Sequence, residues 1–219
     1  PFCDLTTQVS NAGLERYIHV GAVPRRKAMF IPNGVDSTLF RPDRQSRETL
    51  RKALGIEDST FVWLAVGRFE AQKDYPTMIS AFSKLHKLHP TAQLLIAGQG
   101  VLLADMQQFA KELNISDSIR FIGLRKDISA LLNTADAFVL SSAWEGLPMV
   151  LLEAASVGLP IVATDVGGNR EVVQSDVNGY LVPSRDPDAL AKKMHQFMTL
   201  EPDKRAVMSR EGRQLVETH

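Results

Sequence analysis

Hydrophobic positions along this chain alternate between two rhythms. From Thr60 onward, short two-sided runs rich in Val, Ile, Leu and Phe occupy 61–66, 93–97, 119–122, 137–140 and 161–163. That is the pattern of strands buried on both faces. Between them, apolar residues recur at helical spacing: Met78, Ile79, Phe82, Leu85 and Leu88; Leu103, Met106, Phe109 and Leu113; Ile128, Leu131 and Leu132; and the run 150–157, stopped by Gly158 and Pro160. A last strand is predicted over 179–182, a helix over 187–198, and further helix after Pro202. Strands alternating with helices predict an α/β fold with a doubly wound parallel sheet, whose ligands gather at the carboxyl ends of the strands.

The first 42 residues have a different texture. A strand is expected over 4–9, a short helix over 11–19 and a second strand over 28–31, ending in a tight turn at Pro32-Asn33-Gly34. After Phe40-Arg41-Pro42 comes the polar, charged stretch 43–52. A switch from apolar alternation to charge and proline is where linkers fall, which puts a boundary near residue 42. Residues 1–42 read as the end of something preceding, and 43–219 as the ligand-binding domain. The start at Pro1-Phe2-Cys3, without an initiator methionine, and the stop at Glu217-Thr218-His219 inside a helix read as cuts in a longer protein.

The stretch around which the second region is organised is Glu145-Gly146-Leu147-Pro148-Met149-Val150-Leu151-Leu152-Glu153. It follows a buried strand and the polar pair Ser141-Ser142. A strand feeding a helix through a small polar turn aims that helix's unpaired N–H groups at whatever sits above the strand, which suits phosphate. Gly146 lets the backbone approach a ligand, and Pro148 suits the first helical turn. Glu145 is then expected on the loop beside the ligand. Glu153, about a turn and a half further on, could accept two hydrogen bonds from a vicinal diol such as that of ribose. A structural reading stands beside this one: a helix opened by Gly and Pro, with one solvated and one capping glutamate.

The other four apolar runs from 61 to 163 also end in glycine-bearing loops: Gly67-Arg68-Phe69-Glu70-Ala71-Gln72-Lys73, Gly98-Gln99-Gly100, Gly123-Leu124-Arg125-Lys126 and Asp165-Val166-Gly167-Gly168-Asn169. Arg68 and Lys73 could converge on a diphosphate, one as a forked donor and the other as a point charge. Singly, each is as well read as a surface cation near a helix start. Gly98-Gln99-Gly100 lacks the third glycine of the dinucleotide fingerprint.

Composition sharpens the class. At 219 residues and 44% hydrophobic, the chain has material for a core that needs no staples. Lys+Arg and Asp+Glu balance at 25 each, which gives no global basic field for nucleic acid. The single cysteine, Cys3, excludes an internal disulfide framework and a thiolate metal cluster and fits a reducing cytoplasm. No apolar run approaches the roughly 18 residues that span a bilayer. The five histidines, His19, His86, His89, His195 and His219, are expected at the surface, and nothing resembles a metal site.

Taken in order, Gly67-Arg68-x4-Lys73, Phe121-x-Gly123, Ala135-Asp136-x-Phe138-x-Leu140-x-Ser142, Glu145-Gly146-x-Pro148 with Glu153-Ala154, and Gly158-x-Pro160-Ile161-Val162-Ala163-Thr164 resemble the GT-B retaining glycosyltransferases of family 4. Upstream, Ile31-Pro32-Asn33-Gly34-Val35-Asp36 with Phe40-x-Pro42 resembles the family's interdomain segment. The resemblance implies a Rossmann-like donor half preceded by the tail of an N-terminal acceptor domain. Arg68 and Lys73 would hold the diphosphate of a nucleoside-diphosphate sugar, with a UDP-sugar favoured, and Glu153 would bind its ribose. Glu145 would lie by the transferred sugar, and the backbone from Gly146 through Leu147, Pro148 and Met149 to Val150 would touch sugar and phosphate. Arg125 would lie near the base, with Gly67, Gly98 and Gly100 bordering the pocket.

The implied reaction retains anomeric configuration and has no obligatory metal. Its acceptor, a glycan, lipid or small molecule reached through the preceding domain, would serve surface polysaccharide synthesis in a bacterial cytoplasm, with peripheral membrane attachment open. The donor half alone is expected to bind donor and turn over poorly. Asp74-Tyr75-Pro76 departs from the family, which often has glycine after the loop lysine. Two other readings share the architecture: a sugar-nucleotide epimerase, against which the 145–153 element argues, and a non-catalytic nucleotide-binding module.

Overall fold

The computed structural model describes residues 3–218. Pro1, Phe2 and His219, the last expected at the surface, lie outside the described residues. Six strands form one parallel sheet: β3 (Val62–Val66), β4 (Gln93–Ala97), β5 (Ile119–Phe121), β6 (Ala137–Leu140), β7 (Ile161–Thr164) and β8 (Gly179–Val182), in the spatial order β5-β4-β3-β6-β7-β8. Two-sided apolar runs do form two-sided strands here. Successive side chains point to opposite faces. Trp63, Ala65, Leu94, Ile96, Val139 and Val162 share one core, and Val62, Leu64, Leu95, Phe138, Leu140 and Ile161 the other.

Helices cover both faces. On the first face α3 (Tyr75–His86), α4 (Leu103–Glu112) and α8 (Pro187–Met198) bury Met78, Phe82, Met106, Leu190 and Phe197 against the sheet. On the second, α5 (Ile128–Thr134) and α6 (Met149–Ser156) bury Leu131, Leu132 and Leu151. Each such side chain contributes about 1.5–3 kcal/mol when fully withdrawn from water. The last helix, α9 (Pro202–Thr218), spans both: Met208 belongs to the first core and Val216 packs on the second. A four-residue helix, α7 (Asn169–Val172), was not foreseen; it is too short to show a period.

In the first region β1 (Thr6–Gln8), α1 (Asn11–His19) and β2 (Ala28–Phe30) make a small parallel unit, with Thr6 opposite Ala28. The expected tight turn at Asn33-Gly34 is not formed. The chain runs on without a turn, because the Asn33 amide donates to the Leu147 carbonyl at 3.0 Å and so fastens this passage across the molecule.

The charged stretch after Pro42 is a helix, α2 (Arg44–Ala53), capped by Asp43, whose carboxylate accepts from the Ser46 N–H. Its polarity hid a buried purpose. Arg51 is only 2% exposed and donates to the carbonyls of Glu57, Thr60 and Thr134, while Arg47 pairs with Asp136 at 2.6 Å. Three histidines expected at the surface are half-buried and bonded: His89 meets His195 at 2.9 Å between α3 and α8, and His86 meets Ser118 at 3.2 Å. His19 is exposed.

Candidate functional site

Strands β3 and β6 are neighbours, yet α3 packs on one face of the sheet and α6 on the other. The loops leaving β3 and β6 therefore part at their carboxyl ends, which is the switch point where open α/β sheets bind ligands. The two loops are bonded to each other there. The Ala143 N–H donates to the Gln72 carbonyl at 2.8 Å, and the buried Ser141 hydroxyl donates to the carbonyls of Lys73 and Asp74 at 2.7 and 2.9 Å. Below them, the Thr164 hydroxyl donates to the Ser142 carbonyl.

At the centre of this crossing is an ion pair. Lys73 Nζ lies 2.5 Å from Glu145 Oε1, with the side chains 16% and 6% exposed. Ser142 donates to the same oxygen at 2.7 Å and Gln72 to the other at 3.1 Å. Glu145 does lie on the loop, and its carboxylate is drawn in and paired, because a carboxylate at that depth requires a cation and donors. Gln72 and Ser142 had no role in the sequence reading. Two consecutive buried serines at the end of a buried strand were the available signal.

Asp74, where a glycine was expected by resemblance, has left-handed geometry at φ 45°. That conformation suits glycine and is tolerated by aspartate, and its carboxylate also accepts from the Thr77 hydroxyl at 2.7 Å. Tyr75 stacks on Phe69 at 4.3 Å between centroids and donates to the Gly67 carbonyl at 3.0 Å. Burial pushes its phenol upward, which keeps it a neutral donor. Gly98 and Gly100 press on this loop from β4: added Cβ atoms would meet the Gly67 carbonyl oxygen at 1.9 Å and the Phe69 carbonyl oxygen at 2.5 Å. They are required for backbone contact within the rim.

The remaining predicted residues divide. Arg68 does not join Lys73 on a common partner; it is 71% exposed and pairs with Glu70 at 3.0 Å. Arg125 clamps Asp127 at 2.8 and 2.5 Å, which raises the guanidinium and lowers the carboxylate. Pro148 is the cap of α6, one residue before the first turn, so the first N–H groups are those of Met149 and Val150. Those two make no hydrogen bond to the described residues. Leu147 is buried, Met149 is 40% exposed, and Gly146 has room on its side-chain side, where an added Cβ would meet only Val9, at 3.7 Å.

Glu153 is the exception on this rim. It lies in α6, half-buried, and its carboxylate has neither hydrogen bond nor ion pair among the described residues. Burial raises its carboxyl above the ordinary value of 4.5. A carboxylate so placed is an acceptor in want of donors. It is neither capping nor freely solvated.

The first region closes one side of the rim. Glu171 of α7 accepts from the Ala12 N–H at 3.2 Å and from the Asn11 amide at 3.4 Å, which sets its charge at the start of α1. Gly168 packs against Ser10, and its N–H donates to the Gly146 carbonyl at 2.6 Å. Among the described residues no three His, Cys, Asp or Glu side chains gather as a metal site would need, and no helix is long and apolar enough to cross a membrane.

Comparison with known proteins gives the same picture of the architecture. The family described as glycosyl transferases group 1 matches residues 46–215. The UDP-Gal:alpha-D-GlcNAc-diphosphoundecaprenol alpha-1,3-galactosyltransferase of Escherichia coli is 34% identical over 167 residues, covering 74% of this chain and 43% of that protein. The chain therefore spans less than half of that relative. Among solved structures, Anabaena HepE in complex with UDP superposes with a TM-score of 0.91 at 24% identity, over 98% of this chain and 59% of that one. The C-terminal domain of a glycosyl transferase group 1 protein, LpcC, from Francisella tularensis superposes with a TM-score of 0.75 at 25% identity, covering 84% of this chain and 97% of that domain.

Proposed function

Since the chain belongs to the glycosyl transferases group 1 family with the GT-B architecture, we propose that it is the donor-binding portion of a retaining, family 4 enzyme. Such an enzyme moves a hexosyl or N-acetylhexosaminyl group from a nucleoside-diphosphate sugar to a glycan, lipid or small-molecule acceptor. We place the domain boundary near residue 42, with the acceptor engaged through a preceding domain. A UDP-sugar is the favoured donor, and surface polysaccharide synthesis in a bacterial cytoplasm the favoured setting.

The observation that carries this reading is the Lys73–Glu145 pair at the switch point, with the unpaired Glu153 further along the same loop and helix. In the proposed complex the diphosphate lies over the free Met149 and Val150 N–H groups and draws on Lys73, whose charge offsets that building on the departing nucleoside diphosphate. Arg68, exposed and held only by Glu70 in a surface pair of small worth, is available to join it. Glu145 gives up part of its hold on Lys73 and faces the transferred sugar. Glu153 accepts from the ribose hydroxyls. The base lies near Arg125, bordered by Gly98 and Gly100. No step requires a metal.

Calorimetric titration of the chain with UDP, GDP and ADP, with and without Mg²⁺, tests the reading. The expected result is preference for UDP without a metal requirement, and loss of about 1.5–3 kcal/mol in Glu153→Ala, the magnitude of a charged hydrogen bond. Product analysis of the whole protein with labelled donor then separates transfer from epimerisation, since isomerised donor without a transferred sugar would contradict the proposal.

A further inference from the structure

On the side of Glu145 facing α1 lies a cleft of about 780 Å³; Glu145 and Gly146, assigned above to the donor sugar, form one edge of it, and the rest of its lining has no role in the reading above. One wall is the loop carrying Trp144, the other is α1 with Arg16 and Tyr17, and Gly146 and Gly167 line its floor. Trp144 is 52% exposed and Tyr17 44%, so two amphipathic rings are offered to solvent across one concave space. Such rings suit the apolar face of a sugar while their polar edges stay wetted.

Charge decides what kind of sugar. Glu145 is already neutralised by Lys73, and Glu15, beside Arg16 in sequence, is engaged by Arg25 at 2.7 Å. Arg16 itself makes no ion pair and no side-chain hydrogen bond among the described residues. The charge left uncompensated in this cleft is therefore the Arg16 guanidinium, whose planar fork matches phosphate.

We propose that this cleft is the acceptor subsite and that it takes a sugar bearing a phosphate, the ring lying against Trp144 and Tyr17 and the phosphate on Arg16. This rests on the glycosyltransferase reading and adds the acceptor class to it. Arg16 and Trp144 bind and orient acceptor; they are not assigned to the donor.

The chain carries two tryptophans, and Trp63 is wholly buried, so collisional quenching by acrylamide reports on Trp144. With UDP in excess to fill the nucleotide site, glucose 1-phosphate should shield Trp144 at a concentration at least tenfold below that needed of methyl glucoside or inorganic phosphate. Arg16→Glu and Arg16→Gln should lose that shielding at least tenfold, whereas Arg26→Glu, an exposed arginine outside the cleft, should retain it. Equal shielding by methyl glucoside, shielding by inorganic phosphate alone, or full shielding in folded Arg16→Glu would each overturn the assignment. Nucleotide binding without shielding by any sugar would overturn the acceptor subsite alone. Shielding without nucleotide binding would overturn the donor reading instead.

Discussion

The two ends of strand β6 each lead to a carboxylate paired with cationic side chains, half-buried Asp136 just before the strand and Glu145 in the loop beyond it, and they are built to opposite purposes. At the amino end, Asp136 accepts from Arg47, Arg51 and the Val62 N–H, and the two arginines also donate to carbonyls of Glu57, Thr60, Thr134 and Ala135, with the buried Arg51 Nε left without a partner among the described residues. Burial presses the Arg51 guanidinium downward, and Asp136 opposes that shift. At the carboxyl end, Glu145 is met by Lys73, Ser142 and Gln72, but a cleft opens beside it. The first cluster is closed on itself and fastens α2 to the sheet. The second has an unfinished side.

That contrast can be broken by substitution. The largest effect is expected at the closed end. Arg51→Met removes the side-chain donor to the Thr60 carbonyl and one of the partners of Asp136, which Arg47 and the Val62 N–H still hold, and should cost about 1.5–3 kcal/mol in urea unfolding. Nucleotide affinity of the folded fraction should not change. At the open end, Glu145→Gln should lower sugar transfer by the whole protein about 10²-fold or more, with a smaller loss of stability, because Lys73 retains some access to water.

Glu153 sharpens the comparison. Glu153→Ala should weaken UDP binding by about 1.5–3 kcal/mol in calorimetry, while leaving the urea midpoint unchanged or raised. Its pH dependence follows from the raised carboxyl. A folded value above the unfolded one favours folding below the unfolded value and loses that advantage as pH rises through the folded value. Glu153→Gln should therefore be more stable than the parent at neutral pH, the difference vanishing below about pH 4. A pH-independent difference would mean the carboxyl is not perturbed by folding. Function sites that cost stability in this way are common.

The smallest effect belongs to His89, remote from the rim. Its desolvation and the nearby His195 lower it below 6.5, so stability should decline as pH falls through that value. His89→Gln should flatten that part of the profile, measured by thermal unfolding between pH 5.5 and 7.5, a window chosen around the ordinary histidine value of about 6.5.

Much of this was legible because the sheet obeys a local rule. A strand buried on both faces is apolar along most of its length, and 93–97, 137–140 and 179–182 appear in the structure with the boundaries their sequence suggested. Helix α2 was illegible for the converse reason: Arg51 reads as solvent-seeking, and only its carbonyl cage, assembled from residues up to 83 positions away, makes its burial tolerable. The site divides in the same way. Glycines at strand ends marked the rim, but whether Glu145 would lie free or paired depended on Lys73, 72 residues earlier, arriving at the switch point. No local pattern carries that information. The cleft between α1 and the Trp144 loop was invisible too, since Arg16 and Trp144 belong to different regions of the chain.

The central claim is that the ligand occupies the carboxyl ends of β3 and β6 and leaves their amino ends alone. Hydrogen–deuterium exchange of the chain with and without UDP tests it directly. The account predicts slowed exchange in the loop 67–74 and over 141–153, with none of the change reaching α2 or residues 134–136. Slowing at α2 and Asp136 without slowing at either loop, or no slowing anywhere at saturating UDP, would contradict it.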